Sequence, residues 1–371
     1  MKRGTADLPL HHGRAPRWLF SRMTKLAGEV AQLVVLEHGT AGLLERISSP
    51  HWFQAFGCVL GFDWHSSGLT TTTCGALKEG IKGRETDLGL FIAGGKGAAS
   101  RKTPQELGQW GERIGFDADR LIDASRTSAK VDSVAVQDGY QLYHHVFFVD
   151  RDERWAVVQQ GMNDANGMAR RYHWLSRTVQ DFVNEPHQAV CCDRRAASLN
   201  LVAAASVGAR RASTEAAKRA PDDLADELRR LKRLAVPRRH QIVLADIAPE
   251  RLERIFVKTY SAQAAGFKEL LCLPGVGAKT IRALSLISEL VYGAEPSHED
   301  PARYSFAHGG KDGIPYPVDR PLYDQTIDLL GRAIRRARLG RPEEIRALKR
   351  LDRVFGRATG QGTSDGPPRS A

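Results

Sequence analysis

Cysteine is scarce and poorly spaced for the chemistries that use it. The 371 residues hold five, Cys58, Cys74, Cys191, Cys192 and Cys272. They contain no CxxC pair and leave one residue over, which excludes a zinc ribbon or a disulfide framework. The adjacent Cys191 and Cys192 read as small buried residues. Long apolar runs are missing as well: none reaches the roughly 18 residues needed to span a bilayer. No apolar signal-peptide core follows Met1-Lys2-Arg3-Gly4, so a cytoplasmic protein with no membrane partner is expected. No internal repeat is visible. What is present is ordinary for a globular chain, 42% hydrophobic and 26% charged, and long enough for two cores.

The charge becomes informative once it is divided. Residues 197–360 hold 29 Lys and Arg against 20 Asp and Glu, whereas the remainder holds 25 against 23. The basic excess therefore sits in the C-terminal half, the footprint of a polyanion partner. A helical surface rich in solvated arginine is the plainer alternative.

The first half alternates helix and strand signals. Pro16 stands where a helix would start, and Trp18, Leu19, Met23, Leu26, Val30 and Leu33 follow at helical spacing. A β-like stretch at 88–94 ends in Gly94-Gly95-Lys96-Gly97. The best hairpin runs over 140–149 and 155–161, with a polar turn between. From Ser198 onward Ala, Arg, Leu and Glu dominate and strand signals vanish; 222–234 reads as an amphipathic helix closed by Pro237. The expected fold is an α+β domain over 1–192 with a mixed or antiparallel sheet. An all-α domain over 197–357 and a disordered tail over 358–371 follow.

The sharpest local signal is Leu273-Pro274-Gly275-Val276-Gly277-Ala278-Lys279-Thr280. One helix is predicted to end at Leu273 and another to run from about Ala278 to Tyr292. The glycines permit a tight turn and a close approach to a phosphate, which the second helix's N-terminus would hold. Pro274, Gly275, Val276, Gly277, Lys279 and Thr280 are the candidate DNA-binding residues, with Lys311 added from the polar segment 308–313. These residues resemble the helix-hairpin-helix motif and, more narrowly, endonuclease-III-type DNA glycosylases. That resemblance implies Lys279 as a Schiff-base nucleophile and Asp319, in Pro317-Val318-Asp319-Arg320, as its carboxylate. The 40-residue separation of that pair and the lack of a four-cysteine loop depart from the family pattern.

Polar residues crowd among aromatic and β-branched ones in the first half. They include Asp7 to His11, Phe62-Asp63-Trp64-His65-Ser66-Ser67-Gly68, Ala129-Lys130-Val131-Asp132-Ser133, Gln137-Asp138-Gly139-Tyr140, Tyr143-His144-His145, Gln159-Gln160-Gly161 and Arg170-Arg171-Tyr172-His173-Trp174. Together these segments resemble an uncharacterised prokaryotic family, domain of unknown function seven-six-three, over roughly 3–355. Read chemically, Asp63, His65, Asp132, Asp138 and His144 are candidate ligands for Mg²⁺ or Mn²⁺. Asp63 and His65 share a face if they lie on a strand, and Asp132 and Asp138 are placed at the near ends of adjacent strands. His144 and His145 face opposite ways, so at most one joins a common site. The metal would activate water, and Lys130 or Lys96 would supply fixed positive charge. Asp63, His65, Lys130, Asp132 and Asp138 are thus the candidate catalytic residues.

Three functions remain open: a divalent-metal-dependent DNA nuclease acting in repair, a DNA glycosylase or AP lyase, and a non-catalytic DNA-binding scaffold. DNA, bound mainly through phosphates, is the expected partner in each, and homo-oligomerisation stays possible.

Overall fold

The computed structural model describes residues 8–10, 15–62, 66–191, 195–234, 245, 247–302, 320–337 and 340–359. The glycosylase aspartate Asp319, Lys311 with the segment 308–313, Asp63, Trp64, His65, Asp7, His11, Cys192 and most of the expected tail lie outside them.

The chain is α+β, built on one antiparallel sheet. Helices α1 (Arg17–Ser48), α2 (Pro50–Leu60), α3 (Gly68–Gly80) and α4 (Glu85–Leu88) precede strand β1 (Leu90–Lys96). Helices α5 (Thr103–Ile114) and α6 (Ala118–Lys130) follow, then a π-helical turn over Val131–Ala135. The strands β2 (Val136–Gln137), β3 (Gln141–Asp150), β4 (Trp155–Asn163), β5 (Met168–Leu175), β6 (Ala189–Cys191) and β7 (Leu199–Asn200) come next. Five of them form the main sheet in the order β1-β3-β4-β5-β6, while β2 pairs with β7. That two-residue β7, formed against Val136–Gln137, is the one strand among the described residues after 198, and composition did not signal it.

The sheet is covered on both faces, which explains why its strands read as continuous apolar runs rather than as clean alternation. Leu90, Ile92, Val146, Phe148, Ala156 and Val158 face α1–α3. Phe91, Ala93, Phe147, Val149, Val157 and Trp174 face the other way, onto α5, α6 and the helices beyond 200. Those are α7 (Val207–Ala216), α8 (Pro221–Leu231), α9 (Pro249–Ala262), α10 (Phe267–Cys272) and α11 (Ala278–Tyr292). The last two helices, α12 (Arg320–Arg336) and α13 (Arg341–Thr359), return to the first face. There Leu329, Leu330, Ile334 and Leu351 join the core of α1 and α2, and Arg350 Nε donates to the Val59 carbonyl at 3.0 Å.

The boundary expected near 192–197 is therefore not a boundary between cores. Leu224, Phe256, Leu270, Ile281 and Leu284 share one cluster with the sheet, and each buried side chain of this kind contributes about 1.5–3 kcal/mol. The split in charge is a property of the surface; the apolar stripes beneath it cross the line twice.

Candidate functional site

At one end of the sheet the apolar layers give way to polar side chains on both faces. Register fixes which residues share a face, because directly paired residues point the same way. One transverse row is Lys96, His144, Gln160, Arg171 and Cys191; the next is Gly95, His145, Gln159, Tyr172 and Val190. The first row faces α2 and α3 and the second faces α6. His144 and His145 thus point to opposite faces, as the period of two requires.

On the α6 side the hydrogen bonds form a closed chain. Ser125 Oγ lies 2.9 Å from His145 Nε2, and His145 Nδ1 lies 2.9 Å from Gln159 Oε1. Gln159 Nε2 then donates to Asp132 Oδ2 at 2.5 Å. Since the glutamine oxygen only accepts, His145 carries its proton on Nδ1 and takes the Ser125 hydroxyl at Nε2. Burial holds its pKa below the usual imidazole range, in keeping with this neutral form. Asp132 also accepts from Trp174 Nε1 at 3.0 Å and from His187 Nε2 at 2.5 Å.

Asp132 therefore does not stand at a strand end as expected. It sits in the π-helical turn, which aims the carboxylate inward among the buried Val131 and Val134 while Ser133 turns outward. His187 lines a cavity of about 20 Å³ together with Asn200, Gln188 and Glu185, room for about one water. Asn200 Oδ1 is buried without a hydrogen-bond partner among the described residues.

Asp138 is held elsewhere, at the bend between β2 and β3. It accepts from Arg170 Nη1 at 2.8 Å, from the Tyr172 hydroxyl at 2.7 Å and from the Tyr140 amide at 3.1 Å. Burial raises its pKa, and Arg170 and these hydrogen bonds oppose the rise. Arg170 Nη2 reaches on to Asp300 at 2.8 Å, which ties the loop after α11 to the sheet.

These geometries correct the metal assignment. Asp132 and Asp138 spend their oxygens on three donors each, His144 lies on the other face of the sheet, and no cluster of three His, Cys, Asp or Glu able to hold a metal occurs among the described residues. Among the described candidates, Asp132, Asp138 and His144 are not brought together as a ligand set; Asp63 and His65 lie outside the described residues.

Lys130 is displaced from its expected role as well. Its ammonium donates to the Val276 carbonyl at 2.5 Å, and burial lowers its pKa. Gln137 Nε2 donates to the Ala278 carbonyl at 2.9 Å, and Arg282 Nε donates to Gln137 Oε1 at 2.7 Å. The short segment 130–137 thus buries Asp132 inward and holds the α10–α11 turn outward. Helix α10 ends at Cys272 and α11 begins at Ala278, within a residue of the boundaries read from sequence.

In the turn itself Gly275 has φ +93°, and a Cβ there would stand 2.9 Å from Ile255 Cδ1. Gly277 is different: its φ of −132° suits any residue, and a Cβ meets nothing within 4 Å. Pro274, Gly275 and Lys279 are exposed, while Val276 and Thr280 are buried. Lys258 reaches to within 3.7 Å of the position a Gly275 Cβ would take. With Arg251 and Arg254 it forms an exposed stripe on α9 at spacings of three and four. None of the three makes a salt bridge among the described residues.

Sequence reasoning missed His187, Asn200 and Asp300. Each meets its partners only through tertiary contact, and no local pattern marks it. The stripe on α9 was also missed, although Arg251, Arg254 and Lys258 stand at helical spacing in the sequence.

Comparison with known proteins gives one assignment. The chain belongs to the family described as Protein of unknown function (DUF763), whose model matches residues 4–318. No curated protein and no solved structure matches it.

Proposed function

We propose that the chain binds DNA by its phosphate backbone at the α10–α11 turn, as a helix-hairpin-helix element would. The observation that carries this reading is the juxtaposition of that turn with the basic stripe on α9. An exposed Gly275 in the left-handed region lies against Lys258, with Arg254 and Arg251 continuing along the helix. Helix α11 has no acidic residue in its first turn and no side-chain cap, so its N-terminal amides and dipole face outward toward an anion. Contacts of this type fix a protein on DNA without reading bases.

Gly277→Ala tests the reading cleanly, because it adds a methyl at the turn without straining the backbone. Affinity for duplex DNA is expected to fall several-fold while the thermal midpoint stays put. In Arg254→Gln/Lys258→Gln the slope of log K against log salt is expected to shrink by about two, one for each lost phosphate contact. Unchanged affinity and slope in both folded variants would remove the turn from DNA binding.

A second reading, hydrolysis of the bound strand, is favoured by the Asp132–His187 pair. The carboxylate holds the imidazole from one side, and the ring borders a water-sized cavity, an arrangement suited to general-base chemistry. His187→Gln is then expected to abolish cutting and spare binding. Wild-type protein that cuts nothing with Mg²⁺, Mn²⁺ or EDTA leaves the binding role alone. The glycosylase reading fares worse, since Lys279 is exposed to solvent and lacks the desolvation that activates a lysine nucleophile.

A further inference from the structure

The row facing α2 and α3 holds a buried histidine, His144, with both ring nitrogens unbonded among the described residues, beside an unbonded glutamine oxygen, the Oε1 of its cross-strand neighbour Gln160. An unmet polar group at such depth costs about 1–3 kcal/mol, so two adjacent ones call for an occupant rather than for packing.

The surroundings say what kind. His144 shares its row with Lys96 on one side and, across Gln160, with Arg171 on the other, both basic. Arg171, fully buried, donates to Thr70 Oγ1 and Gln54 Oε1 at 2.8 Å each. Thr70 lies in the first turn of α3, and Gln160 Nε2 donates to the Ser67 carbonyl at that helix's start. The N-terminus of α3, with no acidic residue in its first turn, therefore meets the row and adds its positive end. Lys96 is exposed at the sheet edge over the Tyr143 ring, 5.7 Å from its centre, and makes no salt bridge among the described residues. A cation would be repelled here, whereas a compact oxyanion would gain from every element.

We propose that Lys96, His144, Gln160, Arg171 and the N-terminus of α3 form a binding site for a phosphate group. His144 donates one ring N–H to a phosphate oxygen, and Lys96 guards the entrance at the sheet edge. The site is independent of the α10–α11 turn, on the opposite face of the sheet. Its phosphate comes either from the end of a nucleic-acid strand or from the free ion.

Full-length protein titrated with inorganic phosphate, and with a short oligonucleotide carrying either a 5′-phosphate or a 5′-hydroxyl, distinguishes the two. Millimolar inorganic phosphate is expected to raise the thermal midpoint by about 2–4 °C over chloride at equal ionic strength. Both Lys96→Ala, an exposed change that leaves the fold alone, and His144→Leu are expected to erase that rise. If the source is a strand end, the phosphorylated oligonucleotide binds several-fold tighter than its hydroxyl twin. Lys96→Ala then removes the preference and Gly277→Ala keeps it. A response to the inorganic ion with no preference between the oligonucleotides assigns the site to free phosphate. The proposal is overturned if neither phosphate form has an effect in wild-type protein, or if both variants respond as wild type does.

Discussion

Two polar layers lie back to back at one end of the same sheet, and they close their hydrogen bonds in opposite ways. On the α6 side Ser125, His145, Gln159 and Asp132 pass donors along a chain that ends on a carboxylate with three partners, while Asp138, at the bend between β2 and β3, takes three more. On the α2–α3 side His144 and Gln160 keep buried atoms unbonded among the described residues, in a row shared with Lys96 and Arg171. The residue types are much the same. A carboxylate that has spent its oxygens on protein donors has none left for a ligand, whereas an imidazole with both nitrogens unmet among the described residues is a candidate place for one. This distinction moves the candidate ligand site from the aspartates to the opposite face.

The contrast is broken most directly at Asp138. Asp138→Ala would take from the buried Arg170 one of its two carboxylate partners among the described residues, and would remove the acceptor of the Tyr172 hydroxyl and of the Tyr140 amide. Removing one member of a buried ion pair costs about 3–5 kcal/mol, and that loss is expected in urea unfolding at neutral pH. A loss under 1 kcal/mol would show that the α6-side layer is not the structural one.

Acid separates the layers next. Burial pushes the His144 pKa down to about 3, far below that of the unfolded chain, so between these values the unfolded state binds the extra proton. Stability then rises with pH across this window and falls as pH drops below about 6.5. His144 alone is expected to remove about 3 kcal/mol by pH 4. His145 and His173, also lowered by burial, act in the same direction, while Asp138, raised by burial, acts against them. The share belonging to His144 is the difference between the pH profiles of wild type and His144→Leu. Parallel profiles would mean that His144 titrates alike in both states.

How far the sequence could lead depended on how local each feature is. The α10–α11 turn was legible because Pro274, Gly275 and Gly277 punctuate the chain where they stand, and the strands at 140–149 and 155–161 because β-branched and aromatic residues crowd there. The opposite facing of His144 and His145 follows from a period of two and needs nothing else. Asp132 was misplaced because Val131, Val134 and Val136 mimic a strand, whereas the chain makes a π-helical turn before β2 begins. The saturation of Asp132 was hidden entirely. Its partners Gln159, Trp174 and His187 come from two strands and a distant loop, and no spacing reports such a meeting. The domain boundary failed for a related reason, since net charge describes the outside of the helices and burial is decided by the inside.

The smallest expected effect sharpens the comparison most. At neutral pH without phosphate, His144→Leu replaces an imidazole whose nitrogens gain nothing with a side chain of similar bulk that has no polar atoms. Substitutions of this kind are near neutral or stabilising when the lost group had no partner, so unfolding is expected to shift by less than about 1 kcal/mol in either direction. The same exchange at His145 on the other face would break bonds to Ser125 and Gln159, so it is expected to cost clearly more, about 1–3 kcal/mol for each buried partner left unmet. Two histidines adjacent in sequence, both buried, would thus respond differently to one substitution. Equal losses at both positions would mean that His144 is held by contacts as firmly as its neighbour, and the two layers would no longer differ in kind.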